Sequence, residues 1–117
     1  MVEYQRIQAG DEFLNWNSAT LVFEPEFEGR TRYGINAFDG ADLIGSLTWS
    51  DEGDFIFLRS AYVNPSYQNE GVFREMFTWM LKIEGHKFVD GDWRWGGPLE
   101  KFMERYNQEW RENNADA

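Results

Sequence analysis

Hydrophobic and polar residues alternate most regularly between Arg32 and Val63. Tyr33, Ile35 and Phe38 predict a strand ending at Asp39-Gly40, a dipeptide suited to a tight turn. Leu43–Trp49 (LIGSLTW) predicts the next strand, closed by the loop Ser50-Asp51-Glu52-Gly53. Phe55–Val63 (FIFLRSAYV) predicts a third, rich in aromatic and β-branched residues and stopped by Pro65. Short Gly-containing turns between these strands imply an antiparallel meander. The period then changes. Val72, Met76, Met80 and Ile83 recur at helical spacing and Phe73, Phe77 and Leu81 widen the stripe, so 72–84 predicts a helix packed on the sheet. Gly71 opens it and Gly85 stands where a C-cap is expected. Phe88–Trp95 predicts a further strand, and Pro98 suits the first turn of a last helix over Leu99–Trp110. Upstream, Val2–Ile7 alternates weakly as a strand, and Asp11–Trp16 predicts a short helix with Phe13, Leu14 and Trp16 as its apolar side. Glu24–Gly29, with three glutamates around Pro25, predicts a turn or loop, and 112–117 a frayed tail. The fold class expected is mixed α/β: an antiparallel meander, then a strand–helix–strand step, for which right-handed crossovers dominate.

A chain of 117 residues supports one domain. Its 42% apolar and 18% aromatic content excludes a disordered acidic tail. The absence of Cys excludes a disulfide scaffold, a thiolate zinc site and a cysteine nucleophile. The single histidine, His86, follows the Gly85 cap, where a cation suits the helix end, and leaves little room for a metal site or triad. The net charge of −10 is uneven: 1–60 carry eleven acids and four bases, 61–117 ten acids and seven bases. Direct nucleic-acid binding is therefore not expected, because neutralising phosphates needs clustered Lys and Arg. No apolar run reaches the length of a membrane span, and the acidic start MVEYQRIQAGDEF lacks the basic and apolar regions of a signal peptide. The expected location is cytoplasmic.

The segment that carries chemistry runs from Ala61 to Arg74. A strand ends at Val63, a loop follows, and a helix starts at Val72. Helix N-termini present unpaired N–H groups and partial positive charge, which suits phosphate where a glycine lets the backbone come close. Gly71 supplies that closeness, Gln68 a further donor and Arg74 a cation. In this context the run LIGSLTWSDEGDFIFLRSAYVNPSYQNEGVFREMFTWML resembles the GNAT superfamily of acyl-CoA-dependent N-acetyltransferases. Val63-Asn64-Pro65-Ser66-Tyr67 matches a Val-x-Pro-x-Tyr-like segment. Gln68-Asn69-Glu70-Gly71-Val72-Phe73 matches a Gln/Arg-x-x-Gly-x-Gly/Ala loop that starts the central helix. Phe88–Trp95 takes the place of the strand that splays from its neighbour, and Pro98–Asn107 resembles the following helix, so the likeness covers about 31–107.

The resemblance implies that the loop N–H groups of Gln68, Gly71, Val72 and Phe73, with Arg74, grip the pyrophosphate of acetyl-CoA. It also implies that Ala61, Tyr62 and Val63 pair with the pantetheine arm. Three departures accompany it. Phe73 replaces the last small residue of the loop, Met103 stands where many members carry the tyrosine that protonates the leaving thiolate, and the chain before the meander is short for a family with two helices there. Tyr106, one turn after Met103, is then the expected general acid, and Glu52, Asp54, Asp90 and Asp92 are candidate bases. The implied function is acetyl transfer from acetyl-CoA to a primary amine, and the acidic first half would suit a cationic acceptor. The alternative is a catalytically inactive GNAT-like module whose acidic, aromatic surface engages a partner protein or mimics a polyanion. Phe73 and Met103 discriminate: Phe73 filling the pyrophosphate site would favour the module.

Overall fold

The computed structural model describes residues 1–68, 70–91 and 97–114. The meander is present as β5 (Arg30–Asp39), β6 (Asp42–Asp51) and β7 (Phe55–Val63), paired antiparallel in sequence order. β1 (Val2–Arg6) and β4 (Glu26–Phe27) follow one another along the free side of β5. The helix α1 (Val72–Glu84) crosses back so that β8 (Phe88–Gly91) adds parallel to β7, from Phe55 opposite Phe88 to Leu58 opposite Gly91. The mixed α/β architecture read from the hydrophobic pattern is therefore the one found. The strand expected over 88–95 is described to Gly91, and 92–96 lie outside the described residues. A last helix, α2 (Gly97–Asn113), runs three residues beyond the expected Trp110 and takes in Glu112.

One face of the sheet carries α1, and the main core lies between them. Ile35, Leu47, Trp49, Ile56 and Leu58 meet Val72, Met76 and Met80, with Met103 of α2 and Val89 of β8 closing the layer. Gly45 is required here: a Cβ on it would stand 3.0 Å from the Tyr62 carbonyl oxygen and 3.5 Å from Met76 Cε. The outer edge of β8 is closed by a side chain. Asn107 accepts from the Val89 N–H at 3.3 Å and donates to the Val89 carbonyl at 2.8 Å, so one buried amide stands in for a neighbouring strand.

The other face corrects the expectation for 11–16. That segment is no helix but β2 (Glu12–Leu14), hairpinned with β3 (Thr20–Val22). Asn15, Asn17 and Ser18 make the turn: the Asn15 N–H donates to the Ala19 carbonyl at 2.8 Å, and Asn17 Oδ1 accepts from the Ala19 N–H at 3.1 Å. Six residues are too few to nucleate a stable helix, whereas strand alternation puts Phe13 into a small core with Ile7 and Phe23. The hairpin is fastened to the sheet through Ser46, whose hydroxyl accepts from the Leu14 N–H at 2.9 Å and donates to Asn36 Oδ1 at 2.6 Å. The acidic loop 24–29 also contains structure, because β4 turns into β5 through Glu28 and Gly29 at φ of 52° and 76°. Both values are positive, as a two-residue I′ hairpin needs.

Candidate functional site

β7 ends at Val63, and the chain makes one 3₁₀ turn, Pro65–Tyr67, capped by Asn64 Oδ1 accepting from the Ser66 N–H at 2.9 Å. The Tyr67 hydroxyl donates to Asp39 Oδ2 at 2.5 Å and ties the loop to the end of β5. That bond raises the Tyr67 pKa and lowers that of Asp39. Gly71 then enters α1 at a φ of 76°, a left-handed conformation that disfavours side chains. Among the described residues a Cβ built on it meets nothing within 4 Å, so space stands before the helix start. No acceptor among the described residues meets the N–H groups of Val72, Phe73 and Arg74, which point with the helix dipole into that space. Backbone donors arranged in this way suit the oxygens of a diphosphate, and the residues present fit that group.

The side chains in the loop divide differently from the expectation. Val72 is buried in the core and offers only its N–H. Gln68 Nε2 donates to the Val63 carbonyl at 3.1 Å, so one of its two amide hydrogens is committed to closing the strand end. Phe73 turns away from the space before Gly71. Its ring packs on Phe77 at 5.9 Å and edge-on to Phe102 at 5.2 Å, which joins α1 to α2. Arg74 is exposed, with its guanidinium 5.7 Å from the Phe102 ring centroid. Asn69 lies outside the described residues.

Ala61, Tyr62 and Val63 carry the edge beside this loop. The Tyr62 carbonyl faces β6, where it crowds Gly45, and the Asn64 N–H donates to Ile44 of β6 at 2.7 Å. By strand alternation the backbone groups of Ala61 and Val63 point to the opposite side. There the pairing with β8 ends at Leu58, so among the described residues the edge from Arg59 to Val63 has no neighbouring strand. The Val63 carbonyl is taken by Gln68; among the described residues the Ala61 N–H and carbonyl and the Val63 N–H have no partner.

Tyr106 is not brought to this loop. Its hydroxyl donates to the Lys87 carbonyl at 2.7 Å, and its ring stands edge-on to Phe77 at 5.0 Å. Lys87 precedes β8, beside the start of β7, whereas the loop follows the end of that nine-residue strand, roughly 27 Å away along the chain direction. Burial pushes the Tyr106 pKa up to about 12. Met103, in the position where the resemblance places a tyrosine, is wholly buried in the core. Of the candidate bases, Glu52 is held below its ordinary pKa by the Ser50 hydroxyl and by Arg30, the opposite of what a base near neutrality requires. Asp54 and Asp90 are exposed on the surface, and Asp92 lies outside the described residues.

A second concavity went unread in the sequence. A cleft of about 290 Å³ opens on the hairpin side of the sheet, and Arg30, Arg32 and Arg59 all line it. The signal was available: Arg30 and Arg32 are two apart on one strand and so share a face, and Arg59 interrupts an otherwise apolar strand.

No protein-family model matches the sequence, and no curated protein matches it significantly. Solved structures do match. A GNAT-family acetyltransferase protein from Streptococcus pneumoniae TIGR4 superposes with a TM-score of 0.63 and 16% identity, covering 93% of this chain and 86% of that one. A GNAT-family protein from Desulfovibrio desulfuricans superposes with a TM-score of 0.54 and 17% identity over 63% of this chain. There the match spans about half, 53%, of the other chain's length. Sheet order, the parallel β7–α1–β8 step and these superpositions together identify the fold of this chain as that of the GNAT acetyltransferases.

Proposed function

We propose that the protein transfers an acetyl group from acetyl-CoA to a primary amine. The observation that carries this reading is the coincidence, at one end of β7, of a strand edge that no described residue pairs and a helix start opened by a left-handed glycine. The cosubstrate supplies a thioester carbonyl to the amine nitrogen. A C–N bond forms there, the C–S bond breaks, and the proton lost by the amine balances the thiol that leaves. The chain's contribution is positional. The N–H groups of Val72, Phe73 and Arg74 hold a diphosphate, with the Arg74 guanidinium as an added cation. Ala61 and Val63 align an extended chain along β7 so that its reactive end meets the sheet. We assign Tyr106 to holding α2 against β8, with no part in proton transfer, since its hydroxyl already serves the Lys87 carbonyl.

Calorimetric titration with CoA and acetyl-CoA tests the reading. Binding in the micromolar range is expected, weakened at least about tenfold by Gly71→Asp, whose carboxylate would face the diphosphate. A native circular-dichroism spectrum for the variant would exclude misfolding as the cause. No binding of either ligand at millimolar concentration rejects the transferase. The alternative, an inactive module, draws on Trp16, Leu21, Val22 and Phe27, which stand exposed around the two hairpins. CoA binding separates the two readings.

A further inference from the structure

The first sixty residues carry four arginines, and three of them meet in one place. Arg30 and Arg32 come from β5, and Arg59 from the irregular step in β7 where Ser60 pairs with Thr48 and Leu58 with Trp49. Their guanidinium groups are fixed by different partners. Arg32 stacks 4.4 Å from the Phe27 ring centroid and 5.4 Å from that of Phe23, and donates through Nε and Nη2 to the Glu24 carbonyl at 3.1 and 2.8 Å. Arg59 lies 4.6 Å from the Phe57 ring centroid and donates through Nε to the Ser50 hydroxyl at 3.1 Å. Arg30 bonds Glu52, which also lies 3.6 Å from Arg59 Nη2. Glu28 is the one acid among the described residues of the cleft wall; Glu24 acts on Arg32 and Glu52 on Arg30 and Arg59, so three arginines answer three carboxylates of which one lines the cleft. Burial lowers the Arg32 pKa, and Arg59 adds to this, against the opposing pull of Glu24 and Glu28.

The rest of the wall is mixed. Phe13, Leu21 and Phe27 supply an apolar side, and Thr48 and Ser60 a small polar floor. Preorganised arginines facing an apolar wall in a space of about 290 Å³ suit a small carboxylate with a hydrocarbon body. The cleft shares β7 with the free edge, since Arg59 and Ser60 immediately precede Ala61. We propose that this cleft binds a small carboxylate-bearing molecule through Arg30, Arg32 and Arg59 and that, resting on the transferase reading above, the acceptor amine carries that carboxylate. It is then an amino-acid-like zwitterion. The cationic acceptor suggested by the acidic composition gives way, because the arginines of that acidic half are gathered where the ligand would sit.

The test uses the full chain, ¹⁵N-labelled, titrated with L-phenylalanine, 3-phenylpropionate and L-phenylalaninamide. The first two are expected to shift the amides of Arg30, Thr48 and Ser60 saturably, with L-phenylalaninamide at least about tenfold weaker for want of a charge-assisted bond. Arg59→Gln should weaken L-phenylalanine about tenfold or more and leave CoA affinity unchanged. Arg30→Gln, at a more exposed site, should weaken it in the same direction if Arg59→Gln fails to fold. Equal or tighter binding of the amide, or shifts centred away from the cleft, overturns the proposal. Acid binding in a protein that binds no CoA supports the cleft and rejects only the transferase reading; CoA binding without acid binding does the reverse.

Discussion

At the scale of single residues, Tyr106 joins packing, hydrogen bonding and ionisation in one side chain. Replacing it with Phe keeps the edge-on contact with Phe77 and removes the bond to Lys87. The expected cost is about 1 kcal/mol in urea unfolding, with CoA affinity and any transfer rate unchanged. A rate reduced a hundredfold at unchanged stability would return the proton-transfer role to it. The same residue sets an alkaline limit. Its phenol ionises near 10 in the unfolded chain and at about 12 in the native protein, so its favourable term is complete below pH 10 and is lost as pH climbs through 12. Wild type should lose stability across that window more steeply than Tyr106→Phe, measured by urea midpoints at successive pH values.

Among the elements, the ones legible in the sequence are those whose period and punctuation agree. α1 runs from Val72 to Glu84 as read, because a wide apolar stripe lies between two glycines at positive φ, Gly71 and Gly85. The β5–β7 meander was legible for the same reason, with turns at Gly40 and Gly53. The β2–β3 hairpin was not: Phe13, Leu14 and Trp16 fit either period, and the pairing that decides between them depends on Ser46 and Asn36, distant in sequence. The open helix start at Gly71 was legible, while the direction of Phe73 was not, since only the placement of Phe102 on α2 settles it. Asn107 is another long-range device no local pattern reveals. Asn107→Ala leaves both backbone groups of buried Val89 unpaired and should cost about 2–3 kcal/mol, with faster hydrogen exchange at Val89. A loss below about 0.5 kcal/mol would show that water replaces the amide freely.

For the molecule as a whole, acidity works in two ways. Asp39, held by the Tyr67 hydroxyl, Asp51, held by the Gly53 N–H and then Lys87, and Glu52, held by Ser50 and Arg30, all ionise below their ordinary range. Their contribution is present above about pH 4 and is lost as pH falls through the depressed native values. Against this stands the mutual repulsion of a chain with net charge −10. Raising sodium chloride from about 10 to 150 mM, which shortens the screening distance from about 30 to 8 Å, should therefore raise the melting temperature at pH 7. A fall would mean that pairs such as Lys87–Asp51 outweigh the repulsion. The slipped step in β7 bears on how such a chain can change over time. The core-facing residues read 56 and 58 before it and 61 and 63 after it, so Arg59 shifts the phase of everything downstream by one position. Removing that single residue would leave Leu58, Ser60, Ala61, Tyr62 and Val63 in simple alternation, with Ala61 and Val63 still inward, whereas removing a residue elsewhere in the strand would reverse the faces on one side of the step. Gains and losses of chain length should accordingly be absorbed at turns such as Asn15–Ala19 and at Arg59 itself, while the rest of β7 tolerates substitutions but no change in count.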